Sequence, residues 1–278
     1  MRVFVTGSTG YIGSAVVREL IDAGHTVVGL TCSDRGAAKL QEAGAEVHFG
    51  TLDDLDSLRA AASAVDGVIH LAFPHDAEDI AGTNATATNL RAVETMGAAM
   101  GSGKPFVVTA HLNGEAAENT ALAQVERGVR TVIVSLSPSV HDGDADKHGF
   151  VPMLITTART KGVSAYVGDG ANRWPAVHRL DAAHLFRLAL EAAPAGSRLD
   201  GVGDEGVPFR EIAEVIGRHL QVSVVSIARD EANAHFGWLG ALVGRDIPRS
   251  SAQTQALLGW HPVHLGLIAD IEHHYFSN

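Results

Sequence analysis

Val3-Phe4-Val5-Thr6-Gly7-Ser8-Thr9-Gly10-Tyr11-Ile12-Gly13 runs a short apolar strand into a turn of spaced glycines, and the turn into an amphipathic helix. Val3 to Val5 reads as the strand. Ile12 to Ala23 reads as the helix, with Val16, Val17, Leu20 and Ile21 on its buried side and Gly24 as a left-handed stop. In that setting Gly7 permits the tight turn, Gly10 lets a pyrophosphate approach the backbone, and Gly13 lets helix and strand pack closely. The amino end of the helix presents free N–H groups and a positive dipole end to phosphate. Gly7, Ser8, Thr9, Gly10, Tyr11, Ile12 and Gly13 are therefore the expected dinucleotide-binding turn.

Outward from this turn, apolar runs alternate with alanine-rich helical stretches. Strands are expected at Thr26–Leu30, Glu46–Phe49, Gly67–Leu71, Pro105–Thr109 and Arg130–Leu136. Helices are expected near Gly36–Ala43, Leu55–Ala64, Thr83–Met100 and Glu115–Arg127. Continuous apolar strands between helices imply an α/β fold of the Rossmann type, a doubly wound parallel sheet covered on both faces. Beyond Leu136 the pattern loosens, and from Val207 amphipathic helices surround one strand at Val222–Ile227, giving a small C-terminal substrate lobe. The expected division is a dinucleotide domain of residues 1–140 with 176–203, and a smaller lobe of 141–175 with 204–278.

The 278 residues are 46% hydrophobic, enough for a sizeable core. A net charge of −11, with acids and bases interspersed, disfavours nucleic-acid binding, which gains from phosphate neutralisation by cations. Cys32 is the sole cysteine, so neither a disulfide framework nor a cysteine-rich zinc site is expected, and no metal site is read. Neither an apolar leader nor a bilayer-length apolar run is read, so the expectation is a cytoplasmic protein with no membrane partner. The tail histidines His261, His264, His273 and His274 lack metal-ligand spacing and read as surface residues.

Several motifs together resemble those of extended and atypical short-chain dehydrogenases/reductases, which include the NAD-dependent epimerase/dehydratase group. Thr6 to Gly13 is similar to that family's T-G-x-x-G-x-x-G turn. Val68-Ile69-His70-Leu71-Ala72 resembles a strand whose end borders the cofactor, which implies contacts from Leu71, Ala72 and Phe73, and Asn89 follows in the next helix. Leu136-Ser137-Pro138-Ser139-Val140-His141 resembles the segment lining the nicotinamide, with Pro138 and Ser139 as its contacts. Trp174 to Ala183 is similar to the family's W-x-x-V-H-V-x-D-x-A element. The resemblance implies NAD(P) as cofactor, a small-molecule substrate, and a homodimer formed through two helices of the nucleotide domain.

The second strand ends Thr31-Cys32-Ser33-Asp34-Arg35, without the terminal acid that selects NAD. Cys32, Ser33 and Arg35 then face the adenosine ribose, and Arg35 could neutralise a 2′-phosphate, so NADP(H) is favoured over NAD(H). Gly50-Thr51-Leu52 replaces the family's Gly-Asp-Leu, leaving Leu52 and Asp53 as adenine-side candidates.

The family's catalytic Tyr-x-x-x-Lys is missing. Tyr11 is followed four residues later by Ala15, Tyr166 by Gly170, and Tyr275 lies too near the end. His111, at the end of a central strand, becomes the expected proton donor, with Thr109 orienting the substrate. His75, His141, Trp174 and His178 are substrate-side candidates, Trp174 being either a pocket wall or a packing anchor between the lobes. Phe236 and Trp238 read as helix core, and Asp181 as the cap of the helix that follows it. The expected activity is NAD(P)H-dependent reduction of a small apolar carbonyl or related unsaturated substrate. The alternatives are a non-catalytic NAD(P)-sensing protein, and a lyase or epimerase using bound cofactor.

Overall fold

The computed structural model describes residues 1–74, 83–111 and 114–276. They form two units: residues 1–135 with 183–199 and 254–260, and residues 136–182 with 200–253 and 261–278. Residues 254–260, which the sequence pattern put with the smaller lobe, lie in the first unit, and residues 136–140, 176–182 and 200–203, which it put with the dinucleotide domain, lie in the second.

In chain order the first elements are β1 (Arg2–Thr6), α1 (Tyr11–Asp22), β2 (Thr26–Thr31), α2 (Asp34–Glu42), β3 (Glu46–Phe49) and α3 (Leu55–Ser63). They are followed by β4 (Gly67–His70), α4 (Thr83–Ala99), β5 (Pro105–Thr109), α5 (Glu115–Ala123) and β6 (Arg130–Leu136). Then come β7 (Ser139–His141), α6 (Phe150–Lys161), β8 (Val163–Val167), β9 (Arg173–His178), α7 (Arg179–Ala192) and β10 (Arg198–Gly201). The chain closes with β11 (Asp204–Pro208), α8 (Phe209–Leu220), β12 (Ser223–Ile227), α9 (Ala232–Phe236), α10 (Gly240–Val243), α11 (Ala252–Leu258) and α12 (Leu267–His274).

Among the described residues the central sheet is seven-stranded, in the order β10-β6-β5-β4-β1-β2-β3. Strand order reverses between β1 and β4, the point at which open parallel sheets leave a crevice beyond their carboxyl ends. The parallel register sets Thr6 opposite His70 and Val5 opposite Gly29. Phe4, Val68, Phe106 and Ile133 of these strands bury against Leu58, Met96 and Ala121 of the helices. The helix expected to run to Arg127 ends at Ala123 and tightens into a 3₁₀ turn over Gln124–Arg127, where Gly128 turns the chain at φ +82°.

The second unit holds a three-stranded sheet, β11-β9-β7, and a parallel pair, β12-β8. Its core gathers Trp174, Phe209, Ile212 and Ile216 with Leu267 and Ile271 of α12.

Candidate functional site

Gly7 takes φ +67°, and a Cβ there would lie 2.8 Å from the Ala72 amide nitrogen. A Cβ on Gly13 would lie 1.9 Å from the Gly7 carbonyl oxygen, so the helix rests directly on the turn. The Gly10 N–H donates to that same oxygen at 3.0 Å. Gly10 is the extended N-cap of α1 and no side chain caps the helix, which leaves its first-turn N–H groups to an incoming anion. The residues therefore fit the pyrophosphate of a dinucleotide. Ser8, in contrast, is buried, and its hydroxyl donates to the Leu30 carbonyl at 2.8 Å, tying the turn to β2. Thr9, Tyr11 and Ile12 are half-buried around it.

Behind the turn lies a polar relay that the motif reading did not place in the site. The Thr6 hydroxyl accepts from the Leu71 and Ala72 N–H groups, both at 3.2 Å, and donates to His70 Nδ1 at 2.7 Å. His70 Nε2–H donates to Asn89 Oδ1 at 2.9 Å. This assignment makes His70 neutral, and burial pushes its pKa down to about 4. The signal was present in the sequence as His70 at the end of an apolar strand, but its partner lies 64 residues away.

At the end of β2, Thr31 is buried while Cys32, Ser33 and Arg35 are exposed. The Ser33 hydroxyl caps α2, accepting from the Gly36 N–H at 3.2 Å. Gly36 has no room for a side chain, since a Cβ would meet Thr31 Oγ1 at 2.1 Å. Leu52 is half-buried beyond β3. The Asp53 carboxylate accepts from Arg91 at 3.1 Å and Thr88 at 3.2 Å, both on α4.

Leu71, Ala72 and Phe73 lead out from β4, half-buried. The Phe73 ring lies 4.5 Å from the His111 ring at 33°. Thr109 is buried at the end of β5, and its hydroxyl has no hydrogen-bond partner among the described residues. The chain turns after His111, whose carbonyl accepts from the Gly114 N–H at 2.9 Å. The first unit thus brings the glycine turn, the β4 end and the β5 end to one edge of its sheet. His75 lies outside the described residues.

The remaining candidates belong to the second unit. Pro138 precedes β7, on which Ser139 is buried. The parallel register of β7 and β9 sets His141 opposite His178, their rings 5.4 Å apart edge to face. His141 is buried, its Nδ1 bonded to Asp270 at 2.7 Å. Trp174 is buried between Phe150 and Phe209 in the core of the second unit. Phe236 joins this core as expected, but Trp238 is exposed because the short helix containing Phe236 ends there.

Asp181 does not cap α7, which begins two residues earlier; its carboxylate accepts from the Val263 and His264 N–H groups and from His264 Nδ1. Of the tail histidines, His261, His264 and His273 are exposed, and His264 and His274 are paired with the buried carboxylates of Asp181 and Asp270. Among the described residues no group of three or more His, Cys, Asp or Glu side chains could hold a metal ion, and no helix is long and apolar enough to cross a membrane.

Comparison with known proteins agrees with this geometry. The sequence profile described as the NAD dependent epimerase/dehydratase family matches residues 3–121. An uncharacterised protein of Schizosaccharomyces pombe is 44% identical over 293 residues, covering 98% of either chain. A 4-hydroxy-2-methyl-3-oxo-4-farnesyl-3,4-dihydroquinoline-1-oxide ketoreductase of Stigmatella aurantiaca is 27% identical over 85% of this chain and 80% of its own. Among solved structures, a dTDP-glucose 4,6-dehydratase of Streptomyces venezuelae with NAD bound superposes with a TM-score of 0.75 at 20% identity, over 99% of this chain and 96% of that one. By its glycine turn, its sheet order and these relatives, the chain belongs to the NAD dependent epimerase/dehydratase family, whose members bind NAD(P).

Proposed function

We propose that this protein is an NADP(H)-dependent oxidoreductase that reduces a small, largely apolar carbonyl compound or a related unsaturated substrate. The observation that carries the reading is the cradle of Gly7, Gly10 and Gly13, closed to a side chain at Gly7 and Gly13 and facing an uncapped helix amino terminus. When bound, the nicotinamide supplies the hydride. The chain's own residues do the rest. The α1 amides hold the pyrophosphate, and the exposed guanidinium of Arg35 meets the ribose 2′-phosphate with the Ser33 backbone beside it. The Thr109 hydroxyl, without a partner in the described residues, donates to the substrate carbonyl oxygen, and His111 delivers the proton to that oxygen. The ketoreductase name of the Stigmatella relative supports a carbonyl substrate.

Fluorescence titration with NADPH and NADH tests the binding step. Arg35→Ala is expected to weaken NADPH by roughly tenfold to a hundredfold, the worth of one charge-assisted bond, and to leave NADH unchanged. Equal losses for both nucleotides would remove Arg35 from phosphate recognition. For the chemical step, His111→Ala is expected to lower turnover by roughly 10²- to 10⁴-fold with cofactor affinity intact. Unchanged turnover across a carbonyl panel would exclude it as the proton donor.

The absence of Tyr-x-x-x-Lys favours one second reading, a protein that binds the nucleotide and does not turn over. NADPH binding without oxidation by any member of the panel would support it. Product formation without net change in cofactor would instead indicate a lyase or epimerase.

A further inference from the structure

Helix α12 has eight residues, too few to be stable alone, and on its inner side it buries Leu267 and Ile271 together with the carboxylate of Asp270. A fully buried carboxylate is costly unless donors surround it. Asp270 has His141 Nδ1 and His274 Nδ1, each at 2.7 Å, and the Gly143 N–H at 3.2 Å. Tyr275, just past the helix, donates to Asp146 at 2.8 Å. The start of the tail is held in the same way, with His264 on Asp181 at 2.8 Å.

One imidazole joins the two attachments. His178 of β9 stacks on His264, with centroids 4.7 Å apart at 11°, and meets His141 edge to face. The Leu180 N–H donates to its Nδ1. Beside it, Arg179 is paired with Asp142 at 2.8 Å, and the Asp142 and Asp270 carboxylates favour a proton on His178 less than burial, His141 and His264 oppose it. A proton on His178 therefore faces two other imidazoles, and the carboxylates near them, Asp181 and Asp270, already accept from several donors each.

We propose that His178 is the trigger of an acid-releasable clasp, through which protonation frees the C-terminal segment 261–276 from the body of the second unit. Burial, then the neighbouring His141, holds the pKa of His178 below its ordinary value. The sign follows from that direction. A histidine with a depressed folded pKa contributes stability above its unfolded pKa, near 6.5, and loses it as pH falls through the folded one. Asp270 does not set this window: burial opposes its ionisation, but hydrogen bonds from His141 and His274 more than offset that and keep its pKa below the ordinary value. His274, raised by its bond to Asp270, acts at the other end, its contribution fading as pH rises.

The test is hydrogen exchange on the full chain at about pH 7.5 and about pH 5, which bracket the histidine range, with protection corrected for intrinsic rates. Amides of residues 261–276 are expected to lose roughly tenfold in protection at the acid pH, while α8 in the same unit keeps its protection. Loss of protection in α8 and the tail together, or in neither, would overturn the proposal. His178→Phe retains a ring for the stack and cannot take a proton, so its tail is expected to stay protected at pH 5. An unchanged acid response in a folded His178→Phe would also overturn it. If that variant does not fold, His264→Phe, which removes a second imidazole from the stack, is expected to reduce the acid response, and a full response would count against the clasp.

Discussion

Gly13→Ala is expected to abolish nucleotide binding, raising the dissociation constant for NADPH at least about a hundredfold, which corresponds to roughly 3 kcal/mol. The added carbon would stand 1.9 Å from the Gly7 carbonyl oxygen and 2.7 Å from its carbonyl carbon. Both neighbours are backbone, so no rotamer can relieve the clash, and relief requires α1 to move away from the turn. That movement displaces the α1 amides from the phosphate position and breaks the Gly10-to-Gly7 hydrogen bond. Overpacking costs about 1–3 kcal/mol even where side chains can adjust, so thermal stability falls as well. Gly24→Ala at the far end of the same helix is the control. Gly24 has φ +82° but nothing within 4 Å of a Cβ, so its cost is the left-handed backbone alone, about 1–2 kcal/mol, with binding unchanged. Wild-type NADPH affinity in a folded Gly13→Ala would show that this turn is not the cradle.

The glycine turn was legible because its physics is mostly local: strand, turn and helix lie within about twenty residues, and Gly10 and Gly13 answer to Gly7 in that span, although Gly7 itself also answers to Ala72 of the neighbouring strand end. The strands β1 to β6 were legible for a similar reason, since buried parallel strands are uninterrupted apolar runs. The second unit was not legible in this way. The pairing of β7 with β9 places His141 beside His178 across 37 residues, and Asp270 reaches His141 across 129. Nothing in the local spacing of an aspartate at position 270 or 181 announces that it will be buried beneath three donors. Asp181 was read as a cap because caps are local, but its carboxylate goes to a tail segment 82 residues on. Of the candidate site, the sequence therefore carried the phosphate turn and the β4 end, with His70 and Asn89 as motif residues but not the bonds that join them to Thr6. The reason that Asp53 turns to α4 lies in Arg91, 38 residues later.

That histidine yields the second large effect. His70 sits between two partners, accepting from Thr6 and donating to Asn89; the Asn89 bond favours a protonated ring, but burial outweighs it and holds the pKa at about 4 against an ordinary 6.5. Protonation would set an N–H against the Thr6 hydroxyl, whose lone pairs already accept from two backbone amides. Because the folded pKa is depressed, the unfolded chain takes up the proton first. Stability is fully present above about pH 6.5 and falls as pH drops toward 4, by about 3 kcal/mol in all. His70→Leu removes the titration. At neutral pH it should be less stable by about 1–3 kcal/mol for each partner left unsatisfied, Thr6 and Asn89. Between pH 6.5 and 4, however, its denaturant midpoint should fall less steeply than that of the wild type, and the two curves should converge in acid. Other groups titrate equally in both chains, so the difference between the curves isolates His70. Parallel curves across that range would mean that His70 keeps an ordinary pKa and that the relay behind the glycine turn is looser than its distances indicate.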